Sequence, residues 1–294
     1  MIEPRQHRIP VSGGNLTVAE WGPEDATTAV IAIHGITASS RAWLLLAEAL
    51  PDVRIIAPDL RGRARSNALP GPYGLRFHTN DLTAVREALG VKLAVVVGHS
   101  MGAFVAVNFS AQDPRTFGLL LIDGGIPLVL PPTMNMETAP PLLLGPAFER
   151  LSMTFPSREA YRAFWRDHPA FRADWSEAVE AYLDYDLEQT ADGFSPSANP
   201  RAVQVDFAEQ FGPAWYLRDL THLDEPVTIL RAPRGLLDEP AALYAPGQIE
   251  EEWDEQIPGL EVIEVEDVNH YTILMSERGA DAVAAALRPL ILPG

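Results

Sequence analysis

The chain of 294 residues contains no cysteine and one lysine, Lys92. Without cysteine there can be no disulfide framework and no thiolate ligand for a metal ion. Basic residues are few: 22 lysines and arginines stand against 40 acidic residues, and the formal net charge is -18. This surplus of negative charge repels nucleic acid and anionic membrane surfaces, and it disfavours strongly anionic substrates unless local arginines reverse its sign.

Long hydrophobic runs are also missing. No segment approaches the roughly 20 consecutive apolar residues of a membrane span, and residues 1–5 lack the apolar core of a signal peptide. We therefore expect a cytoplasmic protein without a membrane partner. Hydrophobic residues nevertheless make up 47% of the chain, which suits one large domain, or a core with an inserted subdomain.

Apolar runs typical of strands alternate with patterns typical of helices. This alternation predicts an α/β fold with a doubly wound, mostly parallel sheet and helices on both faces. The expected strands are residues 7–11, 16–21, 29–33, 53–57, 93–97, 117–122, 227–230 and 260–265, and the expected helices are 42–50, 80–89, 103–111 and 280–287.

The alternation stops between residues 127 and 222, where helical segments are expected at 158–166 and 176–187. We interpret this stretch as a helical cap. It would be inserted into a core made of residues 1–126 and 223–294.

One motif in the expected core contains a candidate catalytic residue. The apolar run of residues 93–97 leads into Gly98-His99-Ser100-Met101-Gly102, and a helical pattern follows. A serine between two glycines at a strand-to-helix junction is typical of the nucleophile elbow, in which the hydroxyl stands at the carboxyl edge of the sheet. An ordinary Gly-Ser turn is the plainer interpretation, and the chain must supply a base and an acid to exclude it.

We predict that His270 is the base. It follows the strand of residues 260–265 and would therefore lie at the sheet edge to which Ser100 points. His222 precedes a strand instead and would lie at the opposite edge. The acid is open: we favour Asp238, in the loop after the strand of residues 227–230, with Asp123 as the alternative and Glu239 as a third candidate.

His34-Gly35-Ile36-Thr37 follows another core strand, and Gly35 allows a sharp turn. We predict that the backbone N–H groups of Ile36 and Met101 form an oxyanion hole. The side chains of His34 and His99 are expected to be structural.

A glycine-containing basic loop covers residues 58–66, Pro-Asp-Leu-Arg-Gly-Arg-Ala-Arg-Ser. It lacks the Gly-Lys-Ser/Thr of a phosphate-binding P-loop. We therefore expect its arginines to fasten the loop to the core.

Together, HGIT at 34–37, PDLRGRARS at 58–66, GHSMG at 98–102 and NHYT at 269–272 resemble the α/β-hydrolase superfamily. The resemblance implies an α/β-hydrolase fold with a twisted eight-stranded sheet, a helical cap between strands six and seven, and a Ser-acid-His triad. It assigns the nucleophile to Ser100, the base to His270 and the oxyanion donors to Ile36 and Met101. Relatives that cleave carbon–halogen bonds or epoxides generally have aspartate at the elbow, so serine argues against those chemistries.

Aromatic residues concentrate in the expected cap, with fourteen of 24 between residues 127 and 222. Some of them should line an apolar pocket above the elbow. We expect a serine hydrolase, without metal or organic cofactor, that cleaves an ester, lactone or thioester of a hydrophobic small molecule and acts as a monomer or homodimer.

Two other functions remain open. Carbon–carbon bond hydrolysis, perhydrolysis or a lyase reaction could use the same triad, and the anionic ring-fission substrates of the first would need arginines such as Arg231 or Arg234. A ligand-binding protein that keeps the fold without turnover is the alternative from another functional class.

Overall fold

The strands of the protein follow the predicted alternation closely. The computed structural model describes residues 1–129, 135, 139–257 and 259–291. Its strands are β1 (Arg5–Val11), β2 (Gly14–Trp21), β3 (Thr28–Ile33), β4 (Ile55–Pro58), β5 (Leu93–His99), β6 (Thr116–Ile122), β7 (Leu187–Thr190), β8 (Gly193–Pro196), β9 (Val227–Arg231) and β10 (Glu261–Glu264).

Eight of these strands form one sheet in the order β1-β2-β4-β3-β5-β6-β9-β10. Strand β2 runs antiparallel to both of its neighbours, and the other neighbouring pairs are parallel. The predicted mostly parallel, eight-stranded sheet is confirmed. The carboxyl ends of β3, β5, β6, β9 and β10 therefore meet at one edge, where the loops that follow them can assemble a site.

The helices in the described part of the chain cover both faces of the sheet. They are α1 (Leu44–Ala49), α2 (Leu75–Ala88), α3 (Met101–Ser110), α4 (Ala139–Leu144), α5 (Pro146–Glu149), α6 (Arg158–Arg166), α7 (Glu177–Asp186), α8 (Pro200–Ala208), α9 (Ala214–Leu220), α10 (Gln248–Trp253), α11 (Thr272–Met275) and α12 (Glu277–Ile291).

Strand β5 contributes side chains to the hydrophobic clusters on both faces of the sheet. Val96 belongs to the cluster that also contains the inner face of α3, whereas Val95 and Val97 belong to the cluster on the opposite face. Successive side chains of a strand point to opposite faces, so a run of valines buried on both sides suits a central parallel strand. This burial fixes the position of the residues that follow β5.

Helix α2 begins five residues before the predicted start at Asn80. The N–H groups at its start donate to carboxylates that are distant in the sequence. The Gly74 N–H donates to Asp206 at 2.7 Å, and the Leu75 N–H donates to Glu209 at 2.7 Å. Carboxylates stabilise a helix N-terminus by accepting its unpaired N–H groups. Because both acceptors lie in the insertion, the local sequence does not indicate this start.

The segment between β6 and β9 contains helices α4 to α9, as expected, and also the antiparallel hairpin of β7 and β8, which the sequence interpretation did not include. The assignment of residues 127–222 as a separate cap stays a prediction. None of the described helices is long and apolar enough to cross a membrane.

Candidate active site

Ser100 lies in the sharp turn between β5 and α3. Its backbone has φ 55° and ψ -125°, a conformation that costs a residue with a side chain about 1–3 kcal/mol. A Cβ on Gly102 would lie 2.0 Å from the Ile33 carbonyl oxygen, and one on Gly98 would lie 2.2 Å from the Gly102 oxygen. Both flanking glycines are therefore required by close backbone contacts, which is the geometry that the elbow pattern predicts.

His270 contacts the serine from the loop after β10. Its Nε2 lies 3.0 Å from the Ser100 Oγ. The loop is held by Asn269, whose side-chain oxygen accepts the N–H groups of Tyr271 and Thr272, each at 3.0 Å. The predicted pairing of Ser100 and His270 is thus present in the structure.

Asp123 completes the chain of contacts. Its Oδ2 lies 2.6 Å from the His270 Nδ1, and its Oδ1 accepts the Ala232 N–H at 3.1 Å. The residue follows β6 directly and is fully buried. Because a carboxylate can only accept, the Nδ1 carries the proton, and the Nε2 is free to take one from the serine.

The preference for Asp238 as the acid is corrected by this geometry. Its Oδ1 accepts from the Arg234 Nε at 2.6 Å and from the Asn269 Nδ2 at 3.0 Å, rather than from His270. Glu239 accepts the Leu237 N–H at 2.7 Å within the same loop. The loop turns back on itself, since the Gly235 N–H donates to the Glu239 carbonyl, and the carboxylate that contacts the His270 ring is that of Asp123.

The two expected oxyanion donors border the serine. Met101 is the first residue of α3, where N–H groups have no acceptor within the helix, and Ile36 lines the same cavity as Ser100 and His270. Within the described residues, neither N–H has a protein acceptor. Both backbone N–H groups are therefore without a protein acceptor in the described ranges, and the oxyanion hole stays a prediction.

Arg63 contacts both residues of this expected donor pair, and the sequence interpretation did not predict these contacts. Its Nε donates to the Ile36 carbonyl at 2.9 Å, and its NH2 lies 3.8 Å from the Met101 sulfur. Its charge is paired with Asp206 of α8, and both side chains are fully buried. The pairing could not be found from sequence, because the partners are 143 positions apart.

The other residues of the basic loop are tied to the core, as expected. Arg61 forms a two-pronged ion pair with Asp81 at 2.7 and 2.8 Å and donates to the Pro70 carbonyl. Asp59 accepts the N–H groups of Ser40 and Arg65. Arg61 and Arg63 are thus occupied by protein acceptors, whereas the exposed Arg65 lies over the Tyr185 ring, with its Cζ 4.8 Å from the ring centroid.

His34 and His99 are structural, and both are neutral. Burial lowers the pKa of His34 to about 3 and the pKa of His99 to about 3. The His34 Nδ1 donates to the Gly35 carbonyl and its Nε2 accepts the Leu60 N–H. The His99 Nε2 donates to the His270 carbonyl at 2.8 Å, and the His99 ring centroid lies 4.9 Å from that of His270, so His99 contacts both the backbone and the ring of the catalytic candidate.

A cavity of about 400 Å³ opens onto Ser100, His270 and Asp123. Its described walls carry no lysine or arginine: Arg231 donates to the Tyr244 carbonyl, and Arg234 is paired with Asp238 and Asp267. The apolar wall residues are Ile36, Phe104, Pro127, Leu128, Val129, Leu143, Leu144, Phe207, Phe211, Leu236, Ala241, Ala242 and Leu243.

His222, which the sequence analysis placed at the opposite edge of the sheet, does not line the cavity. His222 is bonded to the Arg218 carbonyl, outside the cavity. No group of three or more histidine, aspartate or glutamate side chains in the described ranges could hold a metal ion. The site therefore consists of Ser100, His270, Asp123 and two backbone donors beneath an apolar cavity.

The chain matches a family model and several curated proteins in sequence. The model of the family described as the alpha/beta hydrolase family matches residues 30–286. Lipase LipV of Mycobacterium tuberculosis is 36% identical over 115 residues, 39% of this chain and 43% of the lipase. A putative 2-succinyl-6-hydroxy-2,4-cyclohexadiene-1-carboxylate synthase of Bacillus subtilis is 30% identical over 174 residues, 55% of this chain and 59% of the synthase. The chain thus spans about half the length of these curated relatives.

Solved structures share the fold along nearly the whole chain. An E-2-(acetamidomethylene)succinate hydrolase superposes with a TM-score of 0.76 at 21% identity, covering 98% of this chain and 99% of that one. A thioesterase domain from the curacin biosynthetic pathway gives a TM-score of 0.76 at 20% identity and covers 99% of both chains. At these identities the likeness establishes the fold alone.

Proposed function

This chain belongs to the alpha/beta hydrolase family, and we propose that it cleaves carboxylic esters of hydrophobic small molecules through an acyl-enzyme on Ser100. Lactones and thioesters are electronically similar acyl donors and fall within the proposal. The observation that carries it is the series of contacts from the Ser100 Oγ to the His270 Nε2 at 3.0 Å, and from the His270 Nδ1 to Asp123 at 2.6 Å.

Each step has a residue positioned for it. The Ser100 Oγ attacks the acyl carbon while its proton passes to the His270 Nε2, and the oxyanion accepts from the Ile36 and Met101 N–H groups. The intermediate collapses, and the leaving oxygen takes the proton from Nε2. Water then attacks the acyl-enzyme, gives its proton to Nε2, and the second collapse releases the acid and returns the proton to Ser100.

Asp123 has the role of the triad acid in this proposal. It keeps the proton on the His270 Nδ1 and stabilises the imidazolium that forms in each attack. Its full burial strengthens this electrostatic effect, because the surrounding dielectric is low.

The lining of the cavity supports a neutral substrate. Its described wall is apolar apart from a few groups, and its charged members besides the site residues are acidic, with Glu239 on the wall. An anionic dienoate, the substrate class of a carbon–carbon hydrolase, would meet a carboxylate there and no cation. Burying an unpaired charge is costly, so this second function is not supported.

Epoxide opening is disfavoured by the nucleophile itself. An epoxide hydrolase of Caballeronia sordidicola is among the relatives. Attack of a serine oxygen on an epoxide carbon would leave an ether, which the Ser100 site has no means to hydrolyse. Acyl transfer instead leaves an ester, which the same residues can cleave.

The proposal is tested by labelling and turnover together. Phenylmethanesulfonyl fluoride should add one sulfonyl group to the intact protein, detected by mass spectrometry. The label should be absent in Ser100→Ala and retained in the control Ser110→Ala, at the far end of α3. Proton release from methyl hexanoate should show ester hydrolysis.

Each other outcome contradicts a part of the proposal. A folded protein that takes no label would mean a site without a nucleophile. Labelling of Ser100 without hydrolysis of methyl, thiol or lactone esters, and with cleavage of a keto-dienoate, would assign the carbon–carbon reaction instead.

A further inference from the structure

Two cavities of very different size meet at Ser100. The larger measures about 400 Å³ and the smaller about 30 Å³. Both are bordered by Ile36, Ser100, His270, Leu144 and Leu236. The reacting carbonyl group must lie at these shared residues, so the two substituents of an ester would enter cavities that differ more than tenfold in volume.

The smaller cavity lies on the histidine side of the site. Tyr271, Leu274 and Met275 line it from the loop and helix that follow His270, and His99 lines it with its ring centroid 4.9 Å from that of His270. Tyr182 of α7 borders it from the insertion and is only 4% exposed. About 10–15 Å³ of such volume holds one water, so this space admits roughly two water-sized groups.

We propose that the protein is specific for esters with a long acyl chain and a leaving alcohol of one or two carbons, of which methyl esters are the best fit. This inference rests on the proposed ester hydrolysis. The leaving oxygen must take its proton from the His270 Nε2, and the small cavity lies beside that ring, between residues 270–275 and the segment after β3 that includes residues 35–38. The alcohol therefore leaves through a space that the attacking water, of similar size, occupies next.

The acyl chain is assigned to the larger cavity for a related reason. It remains covalently bound until water attacks, and burial of its methylenes among Phe104, Leu143 and Phe207 holds it there during that interval. The small cavity has walls that cannot yield easily, since Leu274 is 1% exposed and Met275 is 6% exposed. An alcohol that is too long by one methylene would have to displace them.

Isomeric esters test this assignment at constant composition. Methyl hexanoate, ethyl pentanoate, propyl butanoate, butyl propanoate and pentyl acetate contain the same atoms, and only the position of the ester group differs. We expect kcat/KM to be highest for methyl hexanoate and to exceed that for propyl butanoate by about 10-fold or more, since an ill-fitting methylene costs at least that factor.

The outcomes separate this inference from the proposed function. If none of the isomers is hydrolysed, the proposed ester hydrolysis itself fails. If they are hydrolysed but propyl butanoate or pentyl acetate has the highest kcat/KM, ester hydrolysis holds and the partition of the two substituents is wrong. The series uses the unaltered protein, so it does not depend on a variant that folds.

A pair of variants tests the wall of the small cavity. Met275→Ala enlarges it and should lower the ratio of kcat/KM for methyl hexanoate over propyl hexanoate by about 10-fold. The control Leu243→Ala enlarges only the larger cavity. That cavity would hold the same hexanoyl chain of both esters, so the ratio should stay unchanged in this control. An unchanged ratio in folded Met275→Ala, or an equal fall in both variants, would overturn the assignment.

Discussion

Replacement of Asp123 by asparagine tests the assignment of the acid, because Asp238 offers a matched control. Both residues have positive φ, 43° for Asp123 and 62° for Asp238, a conformation that asparagine tolerates about as well as aspartate. The two substitutions are isosteric and remove one negative charge each. Any large difference between them therefore reports the role of the carboxylate.

The structure determines what the amide does at position 123. Its oxygen must remain on the Ala232 N–H, which Asp123 accepts at 3.1 Å. The NH2 group then faces the His270 Nδ1, which lies 2.6 Å from the carboxylate. Two donors cannot share that contact, so the imidazole moves its proton to Nε2 and can no longer accept one from Ser100.

We expect kcat for methyl hexanoate to fall by about 10⁴-fold in Asp123→Asn, the loss that the wrong tautomer causes in a serine triad. This corresponds to about 5 kcal/mol at 1.36 kcal/mol per tenfold. Asp238→Asn loses an ion pair with Arg234 whose aspartate side chain is 37% exposed, and its amide oxygen still accepts from Asn269. We expect a change in kcat of less than about threefold there, since exposed pairs contribute little.

The assay is proton release at saturating ester, with thermal unfolding measured for both variants. Sulfonylation of Ser100 should slow in Asp123→Asn alone. A folded Asp123→Asn protein that keeps more than about a tenth of kcat, or an Asp238→Asn protein that loses more than Asp123→Asn, would refute the assignment.

Three further predictions follow from the same structure. Ser100→Gly and Ser100→Ala should both lack ester hydrolysis. The glycine variant should nevertheless be more stable than the alanine variant by about 1–2 kcal/mol in urea unfolding, because glycine adopts the φ of 55° without strain. Equal unfolding midpoints of the two variants would contradict the proposed backbone strain. The free energy of unfolding should fall as the pH is lowered from about 7 to about 5: burial lowers the pKa of both His34 and His99 to about 3, so the unfolded chain binds protons first, at its ordinary pKa near 6.5. The loss is about 2 kcal/mol for each histidine, measured by urea midpoints, and a constant midpoint, or a pH slope unchanged in a folded His99→Gln variant, would refute it. Asp206→Ala should lose about 3–5 kcal/mol of stability because it leaves Arg63 charged and unpaired in a fully buried position. Replacing the two residues together, Arg63→Met with Asp206→Leu, should recover part of that loss, and a double variant no more stable than Asp206→Ala would argue against the ion pair as its cause.

The sequence was sufficient wherever the information is local. Strand β5 and helix α3 could be predicted because residues 93–97 form an apolar run, buried from Ala94 onward, and because an elbow needs glycines at positions 98 and 102. The choice of His270 also needed only chain order, since loops after parallel strands share one edge of the sheet. These features depend on backbone geometry, which residue type constrains directly.

The identity of the acid depends on the paths of two loops. Asp123 and Asp238 both lie in loops at the correct edge, and the sequence analysis favoured Asp238 because of its place after the strand of residues 227–230. The structure separates them because β6 and β9 are neighbours, which brings the Ala232 N–H to Asp123. Arg234, four residues before Asp238, meanwhile binds that carboxylate in a turn closed between Gly235 and Glu239.

Contacts between segments that are distant in the chain also could not be predicted from the sequence. Helix α2 begins at Leu75 because Asp206 and Glu209 accept the N–H groups at its start, and Arg63 holds Ile36 because Asp206 balances its charge. A single residue of the insertion thus serves both contacts. The sequence by itself was sufficient to predict the sheet and the pairing of Ser100 with His270, because periodicity and turn chemistry are local properties. Only the tertiary structure decided which carboxylate contacts His270, how Arg63 contacts Ile36 and Met101, and how unequal the cavities are, since these depend on which distant side chains meet.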